Sequence, residues 1–277
     1  MGKIADALEK SSLFEPTATP GSSKVQEVKK LETLALKTPA GGDKPPFAQN
    51  PVDPRLVTLL DPQGFESEQF KMLRTNLLFP VDGKVPRSIM VTSALPGEGK
   101  SFLAANLAIT IAQNINEHVL LMDCDMRRPS VNRMFGFGRV PGLSEHLSQG
   151  FPLPSLFLKT GIRKLTLLSA GVPPTNPAEL LSSSQMSDLL AEVKARYSDR
   201  YVIVDSPPPH LTAEAQVIAR QVDGILIVVK YRGTDRNLVA DLVEKLGKEK
   251  VLGVVFNFFD QRVSAYKGKY GAYYAER

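Results

Sequence analysis

The stretch SALPGEGKSF, residues 93–102, lies between two apolar runs and limits the possible folds more than any other part of the sequence. It nearly matches the phosphate-binding pattern G-x-x-x-x-G-K-[S/T], which connects a buried strand to a helix. Ala94 replaces the first glycine, but the tight part of the turn is Gly97-Glu98-Gly99, so we expect this change to matter little. A strand, a glycine loop, Lys-Ser and a helix in this order predict a phosphate site rather than an ordinary glycine turn.

The residue types in this loop suit a nucleoside triphosphate with Mg²⁺. Gly97 and Gly99 let the backbone curl so that its N–H groups point at phosphate, and the helix N-terminus adds partial positive charge. Lys100 can reach the terminal phosphates, and Ser101 can ligate Mg²⁺. The predicted nucleotide-binding residues of the loop are Pro96, Gly97, Glu98, Gly99, Lys100, Ser101 and Phe102.

Aspartates follow two other apolar, strand-like runs. VLLMDCD contains Asp123 and Asp125, and YVIVDSP contains Asp205. Ligands of open α/β sheets bind outside the carboxyl ends of the strands, and Mg²⁺ prefers carboxylate and hydroxyl oxygens. A single aspartate of this kind is more often a cap or turn residue, but two strand-end sites after a phosphate loop favour a metal. The predicted metal ligands are Ser101, Asp123 and Asp205.

Apolar runs alternate with helical stretches through the rest of the chain. LTLLSAG, GILIVVK and VLGVVFN read as further strands, separated by amphipathic segments such as RNLVADLVEKLGK. This alternation predicts the α/β class: a P-loop NTPase with a mostly parallel sheet and helices on both faces. Residues 1–54, rich in Pro, Gly, Ser, Thr and Lys, are predicted to form a flexible segment and linker. The predicted P-loop domain spans residues 55–262, and a flexible tyrosine-rich tail spans residues 263–277.

Composition excludes several classes of protein. The net charge of +5 comes without a dense basic stripe, so we expect no nucleic-acid partner. Cys124 is the single cysteine, which rules out an intramolecular disulfide and fits a reducing compartment. No apolar run approaches the roughly 20 residues of a membrane span, and MGKIADALEK lacks the apolar core of a signal peptide. These observations predict a cytoplasmic protein.

Two further segments carry unusual residue patterns. Helical spacing in ESEQFKMLRTNLLF places three charged residues on one face, beside an apolar stripe; they are Glu68, Lys71 and Arg74. Four of the seven tyrosines lie in the last twelve residues, among glycines and charges that argue against a packed strand. They are Tyr266, Tyr270, Tyr273 and Tyr274. On composition alone this segment is either a set of phosphoryl acceptors or simply a mobile tail.

Taken together, these motifs resemble those of the bacterial tyrosine kinases (BY-kinases), which regulate exopolysaccharide and capsule export. ALPGEGKS is similar to their Walker A motif, LLMDCDMRRP to Walker A′ and VIVDSPPP to Walker B. GVPPTNPAELL is similar to the segment that lies between Walker A′ and Walker B in this family. FKMLRTNLLF resembles the helix with their E-x-x-R-x-x-R interface motif, and YKGKYGAYY resembles their tyrosine cluster. The resemblance covers residues 66–277.

The resemblance implies an ATP- and Mg²⁺-dependent autokinase that phosphorylates its tail tyrosines between subunits. Phosphoryl transfer needs positioned charge and a carboxylate that accepts the tyrosine proton. We favour Asp123 as this base, with Asp125 helping to hold Mg²⁺ or its waters. Arg127, next to Arg128, is expected to balance charge on the γ-phosphate, although a solvated loop is an equal alternative. Asn257 ends the last strand, at a position where relatives of this fold have an asparagine that contacts adenine. The interpretation as an ordinary turn residue is nearly as good.

The resemblance also implies partners. The interface helix would support a ring-like homo-oligomer, although Lys71 stands where the family has arginine and lacks its bidentate fork. A separate membrane polysaccharide co-polymerase would activate the kinase and recruit it to the inner face of the membrane, and a tyrosine phosphatase would reverse the modification. The alternative function is a partitioning-type (ParA/MinD-like) regulatory ATPase. Leu95 stands where that group carries a second lysine, which argues against it.

Overall fold

A mostly parallel sheet of seven strands organises the part of the chain that the computed structural model describes, residues 50–81, 83–196, 200–209 and 212–259. The strand order is β3-β4-β2-β5-β1-β6-β7, and only the β3–β4 pair is antiparallel. The strands are β1 (Ser88–Ser93), β2 (His118–Asp123), β3 (Phe157–Lys159), β4 (Leu165–Leu168), β5 (Arg200–Asp205), β6 (Gly224–Lys230) and β7 (Val251–Asn257).

Helices connect these strands. Before the sheet lie α1 (Val57–Leu60) and α2 (Phe65–Leu78). Between its strands lie α3 (Lys100–Ala112), α4 (Val131–Met134), α5 (Leu143–Gln149), α6 (Leu153–Leu156), α7 (Pro177–Leu181), α8 (Ser184–Arg196), α9 (Ala213–Gln221) and α10 (Arg236–Leu246), with a short 3₁₀ turn at Lys248–Lys250.

The central strands are buried on both faces, which explains their continuous apolar sequences. In β1, Met90 packs into the apolar layer under α8, α9 and α10, whereas Ile89 and Val91 pack into the layer formed with α2 and α3. All three side chains are fully buried. A parallel sheet covered in this way places the carboxyl ends of β1, β2 and β5 side by side at one edge.

A buried polar network attaches α1 to the helix that follows the glycine loop. Asn106 of α3 accepts the backbone N–H of Thr58 at 3.0 Å and its hydroxyl at 2.9 Å, and donates to the carbonyl of Arg55 at 2.9 Å. These bonds satisfy polar groups that burial would otherwise leave unpaired. The chain before α2 is therefore docked on the phosphate-loop helix.

The predicted fold class is confirmed: the sheet is mostly parallel, helices lie on both faces, and each strand predicted from an apolar run is present. The sequence did not predict β3, a three-residue antiparallel edge strand without a pattern of its own. Among the described residues no helix has both the length and the apolar character needed to cross a membrane. The predicted N-terminal segment up to residue 49 and the tyrosine tail lie outside the described residues.

Candidate functional site

The loop after β1 has the backbone shape that its glycines predicted. Gly97 (φ +78°) and Gly99 (φ +94°) both adopt the left-handed region, which side chains disfavour. A Cβ at Gly99 would also collide with the amide of Asn257. Ala94, in place of the first glycine, is fully buried at the base of the loop, while Pro96 and Gly97 are exposed.

Helix α3 begins directly after this loop and brings the next predicted residues to the sheet edge. Lys100 is its first residue and is largely buried, with 8% of its surface exposed. The hydroxyl of Ser101 accepts a hydrogen bond from the hydroxyl of Ser130 at 3.0 Å. The ring of Phe102 packs edge-on against Phe70 of α2, with 5.7 Å between ring centroids. This contact joins α3 to α2, and the predicted role of Phe102 at the nucleotide stays a prediction.

Asp123 and Asp205 are register partners at the ends of β2 and β5, and both are fully buried. Asp123 holds the loop that follows it, because its carboxylate accepts backbone N–H groups of Asp125 at 3.0 Å, Ser130 at 3.1 Å and Val131 at 3.2 Å. Asp205 differs: within the described part of the chain, neither of its carboxylate oxygens accepts a hydrogen bond of ordinary geometry, although the hydroxyl of Ser101 lies close enough to lower its pKa. An unpaired buried carboxylate is costly, so this group requires another partner.

Electrostatics point to a cation as that partner. Burial raises the pKa of Asp205 to about 7, against the opposing effects of the nearby Ser101 hydroxyl and Lys100 ammonium. The pKa of Asp123 also lies well above its usual range, mainly because of burial and then because of the charge of Asp205. Two adjacent buried carboxylates repel each other when ionised. A divalent ion would relieve both the repulsion and the unpaired oxygens.

The donor set fits Mg²⁺, which takes oxygen ligands and keeps several waters. Ser101, Asp123 and Asp205 supply one hydroxyl and two carboxylates. In the described ranges, no group of three or more His, Cys, Asp or Glu side chains could hold a metal. The remaining ligands of an ion here would be waters and phosphate oxygens, as is usual for magnesium in nucleotide sites.

The loop after β2 carries the predicted arginines. Arg127 donates from Nε and Nη2 to the same oxygen of Glu214, each at 2.8 Å. Glu214, on the first turn of α9, is buried, whereas 56% of the Arg127 side chain is exposed. Arg128 is exposed, and its backbone N–H donates to the carboxylate of Asp125 at 3.1 Å. Sequence patterns gave no signal for Glu214, which follows the Walker B-like strand in an unremarkable helix.

Asn257 lies at the end of β7, as predicted, and its side chain supports the loop. Its Nδ2 donates to the carbonyl of Glu98 at 2.9 Å, and its Oδ1 accepts the N–H of Phe258 at 2.9 Å. The side chain of Glu98 is also turned inward, with 2% of the residue exposed. The contact between Asn257 and Glu98 could not be predicted from the sequence, because the two residues are 159 positions apart.

The residues of the predicted interface have partners within the chain. Lys71 forms an ion pair with Glu68 at 2.6 Å and donates to the carbonyl of Pro62 at 2.8 Å. Arg74 donates to the carbonyl of Thr110, in the last turns of α3, at 3.1 Å. The sequence placed Glu68, Lys71 and Arg74 on one face of α2, and they remain candidates for contacts between subunits.

A glycine loop between a buried strand and a helix, with strand-end aspartates facing its Lys-Ser pair, defines a P-loop NTPase. In agreement, a ParA family model described as "NUBPL iron-transfer P-loop NTPase" matches residues 84–269. Tyrosine-protein kinase YwqD of Bacillus subtilis (strain 168) is 37% identical over 204 residues, which cover 73% of this chain and 85% of YwqD. The chain belongs to the bacterial tyrosine-protein kinases of this P-loop class.

Two other comparisons agree with this assignment. The solved kinase domain of the Escherichia coli tyrosine kinase ETK superimposes with a TM-score of 0.70 at 29% identity, covering 76% of this chain and 82% of that domain. Tyrosine-protein kinase wzc of Salmonella typhimurium is 31% identical over 221 residues, which cover 79% of this chain. The match spans only 30% of the length of that relative.

Proposed function

We propose that the protein is an ATP- and Mg²⁺-dependent protein-tyrosine kinase that phosphorylates the tyrosine cluster at the end of its own sequence. The observation that carries this proposal is the unpartnered, buried carboxylate of Asp205 beside Lys100 and Ser101. Membership of the tyrosine-kinase family supports the choice of acceptor. The acceptors would be Tyr266, Tyr270, Tyr273 and Tyr274.

Each residue has a role in this proposal. When bound, Mg²⁺ would supply positive charge that neutralises the phosphates. Ser101, Asp123 and Asp205 would ligate it. Lys100 would hold the terminal phosphates, and the curled backbone at Gly97 and Gly99 would present N–H groups to them. The chain would thereby hold the nucleotide through backbone and side-chain groups at one edge of the sheet.

The acceptor tyrosine needs a base, and Asp123 is our candidate. Burial raises the pKa of Asp123, which makes its carboxylate a stronger base than an exposed aspartate. Asp125, which is partly exposed, would support the ion or its waters. Arg127, oriented by Glu214, would face the charge that develops on the transferred phosphoryl group.

Transfer between subunits and control by other proteins complete the proposal. Glu68, Lys71 and Arg74 would contribute to a ring-like homo-oligomer in which one tail reaches a neighbouring site. A membrane polysaccharide co-polymerase would activate the kinase and recruit it from the cytoplasm to the membrane, and a tyrosine phosphatase would reset it. Export of exopolysaccharide or capsule would be the regulated process, with no role for nucleic acid.

The test incubates the purified full chain with ATP and Mg²⁺ and maps phosphotyrosine by immunoblot and mass spectrometry. Lys100→Met keeps much of the side chain's bulk but removes its charge, so labelling of the tail should disappear while the protein stays folded. Lys159→Met makes the same change at an exposed position on β3 and should label normally. Full labelling of a folded Lys100→Met variant would overturn the assignment of the loop.

The match to the ParA model favours one alternative, a nucleotide-gated regulatory ATPase without kinase activity. The same experiment separates the two functions. Mg²⁺-dependent ATP hydrolysis with no phosphotyrosine on any chain would favour the regulatory ATPase. Phosphotyrosine on the tail that depends on Lys100 would favour the kinase.

A further inference from the structure

Glu98 is a buried carboxylate that follows the exposed part of the glycine loop. Only 2% of the residue is exposed, whereas its neighbours Pro96 and Gly97 are open to solvent. An ionised carboxylate is buried at high cost unless donors surround it. Its surroundings should therefore explain why the side chain turns inward.

Three donors meet this carboxylate, and two of them come from outside the loop. Oε2 accepts the backbone N–H of Leu95 at 2.8 Å, which closes the first part of the loop on itself. Oε1 accepts the N–H of Lys230, the last residue of β6, at 3.3 Å and the hydroxyl of Thr234, just before α10. One side chain thus joins the phosphate loop to the connection between β6 and α10.

The backbone of the same residue is held from a second strand. The carbonyl of Glu98 accepts Nδ2 of Asn257, the last residue of β7, at 2.9 Å. Gly99 has no side chain to obstruct this contact, since a Cβ there would collide with the Asn257 amide. The loop is fastened at one residue to the ends of both β6 and β7.

We propose that Glu98 is a positioning residue, which holds the phosphate loop in its nucleotide-binding shape through Thr234 and Asn257. A loop with two glycines has many backbone conformations to lose on binding, and fixing it beforehand removes that cost from the binding step. Burial of the carboxylate argues against direct contact with phosphate, which would also be repelled by it. The inference rests on the proposed function, because it assumes that the loop binds nucleotide.

The most informative variant lies outside the loop. Thr234→Val keeps the shape of the side chain and removes the hydroxyl that donates to Glu98, whereas Thr234→Ser keeps a hydroxyl. A hydrogen bond to a charged group is worth enough that its loss should weaken ADP binding about tenfold. Glu98→Gln should weaken binding as well, because its amide N–H₂ would face groups that also donate. Thr160→Val, which removes a hydroxyl bond to the carbonyl of Leu165 far from the loop, is the matched control.

The measurements are the Kd for ADP with Mg²⁺ by isothermal titration calorimetry, the KM for ATP and kcat, and the Tm without nucleotide. A positioning role predicts a raised Kd and KM, a smaller change in kcat, and recovery in Thr234→Ser. Wild-type affinity in Thr234→Val and Glu98→Gln, with only the Tm lowered, would show that these contacts serve stability alone and would overturn this inference by itself. Absence of ADP binding by the wild-type chain would overturn the proposed function and this inference with it.

Discussion

Substitution of Asp205 by asparagine should stabilise the metal-free protein while removing its activity. Folding raises the pKa of this carboxyl from its ordinary value of 3.8 to about 7 because burial disfavours the charge. At about 1.4 kcal/mol for each tenfold step, ionised Asp205 then lowers the free energy of unfolding by at most about 4 kcal/mol. Asparagine carries no charge and avoids this cost. Asp205 thus lowers the stability of the fold at a position that activity requires.

The sign of the pH dependence follows from the raised pKa. Below about pH 4 the carboxyl is protonated in both the folded and the unfolded chain, and Asp205→Asn should leave the stability nearly unchanged. As the pH rises towards 7, Asp205 ionises in the unfolded chain before it ionises in the folded one. Wild type therefore loses stability relative to the variant. Above about pH 7 the difference in stability between Asp205→Asn and wild type should be constant. If this difference reaches the full 4 kcal/mol, the Tm of the variant should be about 8–16 °C higher.

The assay is thermal unfolding of both proteins in EDTA between pH 4 and 8.5. Asp188→Asn, which removes an exposed carboxylate on α8, is the control and should show no such divergence. Mg²⁺ with ADP should raise the Tm of wild type and have much less effect on Asp205→Asn, because bound ligand stabilises only a site that holds it. A Tm difference that stays constant across the pH range, or an Asp205→Asn variant that is less stable than wild type at pH 8, would refute the reasoning.

Three further predictions concern other parts of the molecule. Arg127→Met leaves the buried carboxylate of Glu214 without its ion pair and should lower stability by about 2 kcal/mol in chemical denaturation, less than for a fully buried pair because Arg127 is half-exposed. Adding Glu214→Leu should restore most of that stability but not the kinase activity, and a double variant as unstable as the single one would contradict the role of the ion pair. Lys100→Met should be mixed with a variant whose four tail tyrosines are changed to Phe. Transfer between subunits predicts phosphotyrosine on the Lys100→Met tail only in this mixture, as read by mass spectrometry. If the mixture stays unlabelled while wild type is labelled at a rate independent of its concentration, transfer takes place within one chain. Deleting residues 1–49 should leave the Tm and ADP affinity almost unchanged, since their composition predicts no packed core, and a cooperative loss of folding would contradict the predicted linker.

The sequence by itself determined the class of fold and the location of the site. Runs such as IMV in β1 and YVIV in β5 are apolar at successive positions, which is typical of a strand covered on both faces. Gly97 and Gly99 mark the places where the backbone turns left-handed, and this preference is local to each residue. Asp123 and Asp205 could be placed at one edge because strands of a parallel sheet end on the same side.

Only the tertiary structure decided which partners the side chains of the site bind. Glu98 bonds to Lys230 and Thr234, which are 132 and 136 positions away, and Arg127 bonds to Glu214 across 87 positions. Such pairs depend on which strands become neighbours and on how loops lie over the edge of the sheet. Propensity and periodicity report the backbone shape and burial of short segments, and they carry no information on partners so distant. The same limit explains why β3, whose three residues form a strand only because β4 lies beside them, could not be predicted.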